Sequence, residues 1–322
     1  MGPVSERSRT PRTRRTGRLG RYTAAFVVLC GLIAYVAVHH VTGSKRAPVC
    51  TVGSGENTYE FTLEQAANAA TISAVGTTRR MPERAVTIAL ATALQESALR
   101  NIQHGDRDSL GLFQQRPSMG WGTPEQIMDP VYSSGKFYEG LAKVPGYSRL
   151  PLTVAAQKVQ KSGFPQAYAK HEPDAALLAA ALTGRSAAAL SCTTSKVDPG
   201  RPGDPAKVRA ELVRAFGEKV APKPTAGADA GGSSGRNAGG GTDAKGAAPA
   251  VLSVPVVATP GTGARRGWEL AHWAVARADD LRIAEVTYGG KVWRASDVSG
   301  TWTRSRTPDG TAADAVRIRL EP

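Results

Sequence analysis

The chain has 322 residues, 41% of them hydrophobic, and is therefore long enough for two modest domains, each with its own core. The formal net charge is +14, and residues 1–21 contribute +6 of it, because they hold seven arginines against one glutamate. The five histidines are scattered and no Cys-x-x-Cys pair occurs, so the composition argues against a structural metal site, and we expect no cofactor.

An arginine-rich tail, residues 1–22, precedes an apolar run, residues 23–42. About twenty apolar residues behind a basic cluster are typical of a membrane-spanning helix with a cytoplasmic N-terminus. We therefore predict a single-pass membrane protein whose domains after the anchor are extracytoplasmic. A cleaved signal peptide, which would release a secreted protein, is the alternative, but no small-residue cleavage site follows the run.

The arginines of the tail also raise the question of nucleic-acid binding. Basic residues beside a membrane segment normally set its topology, so we expect the membrane, and no nucleic acid, as their partner. The positive charge of the exported part instead favours an anionic surface, such as a polymer of the cell wall. The sequence does not identify a protein partner.

The three cysteines divide between the two parts of the chain. Cys30 lies in the apolar run and is interpreted as a packing residue. Cys50 and Cys192 both follow the run and form an even pair in an oxidising compartment, so we predict a disulfide between them. Closing so long a loop would stabilise the fold by up to about 4–5 kcal/mol in the chain-entropy model.

Residues 58–195 are predicted to form one mainly helical domain, and residues 44–60 a polar tether before it. The sequence Thr-Leu-Glu-Gln at residues 62–65 predicts a capping box and a helix that ends near Gly76. Pro82 precedes a second predicted helix, residues 83–99. The segment that follows is rich in Gly, Asp, Ser and Pro, which favours a turn or a small hairpin. Further helices are predicted over residues 123–126, 129–141, 152–161, 165–171 and 174–182.

The rest of the chain predicts a helix over residues 204–218, a flexible linker over residues 220–262 and a small α+β module over residues 266–320. The linker is predicted because residues 224–250 hold no Val, Ile, Leu, Met or aromatic residue to bury. Four tryptophans of the module either form its core or bind the wall or a partner; they are Trp268, Trp273, Trp293 and Trp302. The predicted fold class is thus α+β: a transmembrane helix, a mainly α domain and a small C-terminal module.

The residues that carry chemistry lie at the end of the helix 83–99 and in the turn after it. Glu96 and Ser97 lie near the end of the apolar helical run, and the sequence Ser-Leu-Gly-Leu-Phe-Gln follows at residues 109–114. A carboxyl group half-buried at a helix end is harder to ionise, so it can hold a proton near neutral pH. A general acid for glycoside cleavage needs that property. A solvated glutamate at a helix end is the alternative interpretation of Glu96.

These two motifs, in this order and at this spacing, resemble the lysozyme-like superfamily, and within it the soluble lytic transglycosylases and goose-type lysozymes. The resemblance covers roughly residues 60–185. It implies an enzyme that binds the glycan strands of peptidoglycan and cleaves the β-1,4 bond between N-acetylmuramic acid and N-acetylglucosamine. Glu96 would protonate the leaving oxygen and then accept the proton of the muramic 6-hydroxyl, which releases a 1,6-anhydro product. Ser97 would orient a sugar or Glu96 itself, and Ser109 and Gln114 would contact substrate from the turn.

Two alternatives to this function remain open. A hydrolytic muramidase would need a second acid to activate water. Asp106 and Asp108 are the candidates, although an aspartate in a glycine-rich turn more often bonds its own backbone. A catalytically inactive cell-wall-binding protein would use the same cleft as a glycan clamp.

The chain departs from the family in one place. Transglycosylases usually have a later Ala-x-Asn-Tyr-Asn-x-Gly-like motif that lines the sugar cleft, and the corresponding helix here, residues 154–163, lacks the tyrosine. Gln157 and Gln160 are the predicted replacements for the amides of that motif. Trp121 and Tyr132 are candidates for stacking on sugar rings, or alternatively ordinary core aromatics.

Overall fold

A computed structural model describes residues 18–41, 47–162, 165–195, 201–220, 250–257, 262–306 and 313–322. The chain divides into two compact units, Met1–Ala47 and Pro48–Pro322. The expected basic tail up to residue 17 and the greater part of the expected linker, residues 221–249, lie outside the described residues.

The first unit contains helix α1 (Arg18–Val41). A helix that crosses a bilayer needs about 20 consecutive, predominantly apolar residues. In the described part of the chain, no helix combines the length and the apolar character for such a crossing. The transmembrane anchor of the predicted fold class, residues 23–42, is therefore wrong.

The second unit combines helices with two antiparallel sheets. Its α-helices are α2 (Leu63–Thr78), α3 (Glu83–Ser97), α4 (Pro124–Ile127), α5 (Pro130–Ala142), α6 (Leu152–Gln160), α7 (Glu172–Leu182), α8 (Pro205–Phe216), α9 (Gly263–Ala276) and α10 (Ala278–Leu281). Three 3₁₀ helices cover Pro117–Met119, Pro165–His171 and Glu218–Val220. The first sheet has the order β2-β1-β3, with β1 (Val49–Ser54), β2 (Asn57–Thr62) and β3 (Leu190–Cys192). The second has the order β4-β8-β5-β6-β7, with β4 (Val251–Pro255), β5 (Ile283–Tyr288), β6 (Lys291–Arg294), β7 (Thr303–Arg304) and β8 (Ala315–Leu320).

Capping residues recognisable in the sequence begin several of these helices. Thr62 and Gln65 form both hydrogen bonds of the predicted capping box at α2, and Thr123 and Gln126 form both at α4. The Asp204 carboxylate accepts a hydrogen bond from a first-turn amide of α8 (2.8 Å). These bonds satisfy amides that have no partner within the helix, so they determine where each helix begins.

Residues 49–62 form the hairpin of β1 and β2, whereas the sequence predicted a polar tether up to residue 60. Cys50, Val52 and Phe61 are buried, so alternate positions of the hairpin face the core. In the register of β1 and β3, Cys50 lies opposite Cys192, and the two form the predicted disulfide. This bond joins positions 142 residues apart.

The core is built around α3. Every side chain from Ala85 to Leu94 is buried, because α3 packs against α2, α5, α6 and α7. A helix that is apolar on all sides occupies the centre of a domain rather than its surface. The same helix carries Glu96 out of the core in its last turn, where the side chain is half-buried.

The C-terminal region belongs to the same compact unit as the helices before it. Helix α9 packs on β5 and β8, and it also contacts α2, α7 and β3. Trp268, Trp273 and Trp293 are buried and Trp302 is half-buried against the core, as the core interpretation of these tryptophans requires. Strand β4 lies within the segment predicted to be linker and pairs with β8.

One buried histidine joins α9 to the region that precedes the linker. His272 Nδ1 donates a hydrogen bond to the Ala181 carbonyl (2.7 Å), and Nε2 accepts one from the Ala189 amide (3.2 Å). Burial lowers the pKa of His272 to about 4, because the charged imidazolium would lose its hydration. The neutral ring is therefore the form that the fold requires.

Two tryptophans complete this contact at β3. The indole N–H of Trp293 donates to the Cys192 carbonyl (3.1 Å), and that of Trp302 donates to the Leu190 carbonyl (2.8 Å). Both carbonyls belong to a strand at the end of its sheet. The C-terminal region thus satisfies main-chain groups that the first sheet leaves without a strand partner.

Candidate active site

Glu96 stands in the last turn of α3, half-buried at the edge of the core. The hydroxyl of Tyr168 donates a hydrogen bond to Glu96 Oε1 (2.7 Å). Tyr168 is fully buried and comes from the 3₁₀ helix Pro165–His171, which packs against α3 and α6. Glu96 is therefore held in one orientation and is not a freely solvated side chain.

The pKa of Glu96 is raised above its ordinary value. The largest cause is burial, which disfavours the charged carboxylate, and hydrogen bonds from Tyr168 and Gln160 partly oppose it. A raised pKa keeps a larger fraction of the carboxyl group protonated near neutral pH. The site thus provides a proton donor whose orientation is fixed by neutral hydrogen-bond donors.

The chain leaves α3 through two residues in the left-handed region, Ala98 (φ 53°) and Leu99 (φ 58°). Three side chains of the first turns of α2 hold this segment, and we call them the α2 clamp: Glu64, Gln65 and Asn68. Gln65 Nε2 donates to the Ala98 carbonyl and Asn68 Nδ2 to the Leu99 carbonyl (both 2.8 Å).

The third member of the clamp, Glu64, accepts a hydrogen bond from the Asn101 amide (3.2 Å). The clamp therefore contacts the backbone within five residues of Glu96 on its C-terminal side. Left-handed backbone at residues with a β-carbon costs free energy, so external bonds are needed to hold it. The α2 clamp supplies them and thereby fixes the last turn of α3.

Ser97 joins α3 to the turn that follows. Its side chain is buried, and Oγ donates to the Leu112 carbonyl (2.8 Å) while it lies 3.1 Å from the Ala93 carbonyl. The hydroxyl is therefore engaged within the protein and not directed at a substrate. Ser97 thus links the last turn of α3 to the turn of residues 109–114, and both roles expected for it stay predictions.

The turn of residues 109–114 closes through mutual backbone hydrogen bonds between Leu110 and Gln115. Gly111 has φ 73°, and a β-carbon there would lie 2.8 Å from the Ile127 carbonyl, so this position of the motif requires glycine. Ser109 is buried. Gln114 is half-buried, and its Nε2 donates to the carbonyls of Gly111 (3.2 Å) and His104 (3.4 Å).

Helix α6 brings the two predicted glutamines to the same region. Gln160 Nε2 donates to the Phe113 carbonyl in the turn (2.7 Å), and its amide also favours the ionised form of Glu96. Gln157 Nε2 donates to the Ser162 carbonyl (2.7 Å). The Oε1 atoms of both glutamines are buried without a hydrogen-bond partner among the described residues. Each glutamine thus leaves one buried acceptor without a partner among the described residues, and of the two only Gln160 interacts with Glu96.

The two aspartates of the insertion lie in different surroundings. Asp108 accepts hydrogen bonds from Arg116 Nε (2.8 Å) and from the amide and hydroxyl of Ser118 (2.8 and 3.0 Å). The hydrogen bond from Arg116, and to a smaller extent those from Ser118, hold the pKa of Asp108 well below its ordinary value. Asp106 is 90% exposed, with Arg107 at 4.0 Å. Asp108 therefore has a structural role in its loop, as an aspartate in such a turn usually has.

The aromatic candidates lie on the side of α5. Trp121 is half-buried against the core, and Tyr132 is half-buried with the Lys136 ammonium 5.5 Å from its ring centre. No hydrogen bond or ring contact joins either of them to Glu96 in the described part of the structure. The structure thus groups Glu96, Ser97, Gln160 and the turn, whereas Trp121 lies near Gly140 of α5, whose β-carbon position is 3.9 Å from Trp121 and 3.0 Å from Val159 of α6.

Tyr168 is the residue of the candidate site that the sequence patterns did not indicate. The family motif would place a tyrosine beside Gln157, and the helix there has none; Tyr168 instead reaches Glu96 from the next element. It lies 72 residues from Glu96 in the chain, and no local pattern marks it. Its neighbour His171 contacts Gln95 Oε1 (3.2 Å), so consecutive turns of this 3₁₀ helix touch consecutive residues of α3.

A cavity of about 540 Å³ lies at the opposite end of α3, about 20 Å along the helix from its last turn. Glu83 at its wall accepts hydrogen bonds from Arg185 and Arg265, and Glu269 accepts one from Arg266. The Arg265–Glu83 pair thus joins α9 to the start of α3, and the Thr77 hydroxyl, which donates to Glu269, joins α9 to α2. In the portions of the chain described by the structure, no cluster of His, Cys, Asp and Glu could hold a metal ion.

Comparison with known proteins adds no relative. Neither a model of a known protein family nor a curated protein matches the chain significantly in sequence.

Proposed function

We propose that this protein cleaves the glycan strands of peptidoglycan at the β-1,4 bond between N-acetylmuramic acid and N-acetylglucosamine, with Glu96 as the general acid. One observation carries the proposal: a half-buried carboxyl group with a raised pKa, oriented by the Tyr168 hydroxyl at 2.7 Å. Its place after an apolar helix and before the Gly-Leu-Phe-Gln turn agrees with the resemblance to lytic transglycosylases.

In the proposed reaction, protonated Glu96 donates its proton to the glycosidic oxygen as the bond to the muramic C1 breaks. The resulting carboxylate then accepts the proton of the muramic 6-hydroxyl while that oxygen bonds to C1. The products are a 1,6-anhydro end and a free hydroxyl on the leaving sugar, and Glu96 is protonated again. Tyr168 and Gln160 stabilise the carboxylate between the two proton transfers.

The single-carboxylate route is favoured over hydrolysis by the surroundings of the two aspartates. Hydrolysis requires a second carboxylate that activates water or attacks the sugar. Asp108 is engaged by Arg116 and Ser118, and Asp106 is almost fully exposed. A hydrolytic muramidase is therefore the second candidate, and an inactive glycan-binding protein the third.

We place residues 48–322 outside the cytoplasm, where peptidoglycan lies. The support is the disulfide between Cys50 and Cys192, since disulfides persist in oxidising compartments and are rare in the cytosol.

The test compares the full chain with Glu96→Gln, which keeps the size and hydrogen-bonding capacity of the side chain but cannot donate the proton. Both proteins are incubated with purified peptidoglycan, and the products are identified by mass spectrometry. We expect anhydro-muropeptides from the wild type and a loss of about 10²–10⁴-fold in rate for Glu96→Gln.

Asp106→Asn serves as the matched control, because it changes an exposed carboxyl group of the same loop; its rate should equal that of the wild type. Products with reducing ends would support the hydrolase instead. Equal product formation by wild type and Glu96→Gln, or none by either protein, would contradict the proposed chemistry.

A further inference from the structure

The part of the chain that carries Gln160 and Tyr168, on one side of the site, is strongly positively charged. Between Glu139 and Glu172 the sequence contains no acidic residue and five cationic ones. We call these five side chains the cationic wall: Lys143, Arg149, Lys158, Lys161 and Lys170. The stretch covers the end of α5, all of α6 and the 3₁₀ helix Pro165–His171.

All five side chains of the cationic wall are exposed, and none forms an ion pair within the described residues. The acids that bracket the stretch do not neutralise them. Glu139 pairs with Lys136 (3.1 Å) and Arg79 (3.4 Å), and Glu172 pairs with Arg84 (2.6 Å). The wall therefore presents positive charge to the solvent without compensation.

The position of these charges relative to Glu96 follows from the elements that bear them. Lys158 and Lys161 lie within one helical turn of Gln157 and Gln160, and Lys170 lies two residues after Tyr168. The same two elements contact α3. Charges one turn away from a binding site act within a Debye length, which is about 8–10 Å at physiological ionic strength.

We propose that the cationic wall binds carboxylate groups of the peptides attached to the glycan strand. The site then selects anionic, peptide-bearing strands over neutral chains of N-acetylated sugars. This inference rests on the proposed function, since it assigns the glycan to the cleft beside Glu96. Surface charges of one sign, facing a polymer of the other, raise the local substrate concentration and weaken in salt.

The experiment measures binding separately from cleavage, in the full chain carrying Glu96→Gln. In this background, Lys158, Lys161 and Lys170 are replaced together by glutamine. The control replaces three exposed cations of the second sheet region, Lys291, Arg304 and Arg306, which also lack an ion pair among the described residues. The net charge changes equally in both sets, so only the location differs.

Binding is measured by co-sedimentation with three preparations of insoluble glycan, each at low and high salt. The first preparation retains its peptides but has been freed of phosphodiester wall polymers. The second has lost the polymers and, by amidase treatment, the peptides as well. The third retains both the peptides and the polymers. We expect the wall variant to bind the first preparation about 10-fold more weakly at low salt. The difference should vanish at high salt and on peptide-free glycan.

Equal binding by the wall variant and its parent, or an equal loss in the control set, would overturn the proposal. If the wall variant bound more weakly only when the phosphodiester polymer was present, the cationic wall would bind that polymer and not the peptides. Thermal unfolding of each variant checks that the exposed substitutions leave the fold intact. Because binding is measured without catalysis, a peptide-dependent difference would stand even if the wild type gave no Glu96-dependent products.

Discussion

Tyr168 and Glu96 form a pair in which each side chain shifts the pKa of the other. The Glu96 carboxylate, by its hydrogen bond and its charge, helps to hold the pKa of Tyr168 well above its ordinary value, after burial as the main cause. Tyr168 therefore remains a hydrogen-bond donor throughout the working pH range. Its donated bond opposes the effect of burial on Glu96.

This pairing predicts the effect of Tyr168→Phe on the pH dependence of cleavage. Loss of the hydrogen bond raises the pKa of Glu96 further, since only burial and the Gln160 amide then act on it. A general acid works in its protonated form, so the alkaline limb of the pH–rate profile should move to higher pH. The maximal rate should fall about tenfold, because the Glu96 carboxylate loses the hydrogen bond from Tyr168 that orients and stabilises it.

The measurement is kcat as a function of pH for wild type and variant on the same glycan. Tyr132→Phe is the matched control, since it removes the same hydroxyl from a tyrosine that has no bond to Glu96; its profile should coincide with that of the wild type. An alkaline limb that stays in place in Tyr168→Phe would contradict the assigned role.

At this scale, sequence patterns singled out Glu96, Ser97 and Gln160, because each lies at a fixed place in a helix or beside a turn. Their roles stay predictions, and the patterns gave no sign of residues that packing brings to the site. Tyr168 has no such marker, since its contact with Glu96 depends on how a 3₁₀ helix packs against α3. The partner of Ser97 also needed the structure, which shows its hydroxyl bonded to the Leu112 carbonyl.

At the scale of elements, α2 acts on α3 through the α2 clamp rather than through apolar packing alone. Asn68 is buried and its Nδ2 donates to the Leu99 carbonyl (2.8 Å). We expect Asn68→Ala to lower the free energy of unfolding by about 1–3 kcal/mol, because the carbonyl is left without its partner. The last turn of α3 should also loosen, which lowers kcat more than it raises KM.

Chemical denaturation and steady-state kinetics check the two parts of this prediction. Asp204→Ala is the control, because it removes a helix cap at α8 and should cost about 1 kcal/mol. Its kcat should be unchanged, since among the described residues Asp204 bonds neither the α2 clamp nor the last turn of α3. A proportional loss of kcat in both variants would mean that stability alone explains the effect of Asn68.

Helix starts were predictable because capping uses residues three positions apart, as at Thr62–Gln65 and Thr123–Gln126. The hairpin of β1 and β2 was missed, because its polar composition resembles a tether. A pattern was nonetheless present: Cys50 alternates with Val52, and Tyr59 with Phe61, and these side chains face the core. Short strands with only two apolar positions each are easily overlooked in a single sequence.

At the scale of the whole molecule, the stability of the unit Pro48–Pro322 should depend on the protonation of His272. Its pKa is about 4 in the fold and about 6.5 in an unfolded chain, so the unfolded state binds a proton more readily. The contribution is fully present above about pH 6.5 and is lost as the pH falls toward 4. It amounts to roughly 3 kcal/mol over this window.

We expect His272→Gln to be less stable than the wild type at pH 7 and to lose less stability between pH 6.5 and 4. Urea denaturation at a series of pH values gives the free energy of unfolding of each protein and its slope against pH. His104→Gln, a substitution of an exposed histidine, should keep the slope of the wild type. If the slope persisted in His272→Gln, the acid sensitivity would have to come from other groups.

The association of the C-terminal region with the helices was beyond the reach of the sequence. Local patterns predicted its helix, its hairpin and its cluster of tryptophans, but its partners lie more than 80 residues away, as for His272 and Ala181. A polar segment before the region suggested independence. Only the contacts of α9 with α2, α7 and β3 reveal a shared core.

The indole groups of Trp293 and Trp302 have a consequence for self-association. A strand at the end of a sheet exposes main-chain groups that can recruit a strand from another molecule. In β3, the carbonyls of Leu190 and Cys192 are already occupied by these indoles. The C-terminal region therefore covers this edge of the sheet, and a chain truncated after residue 220 would leave these carbonyls free and be prone to aggregate through β3.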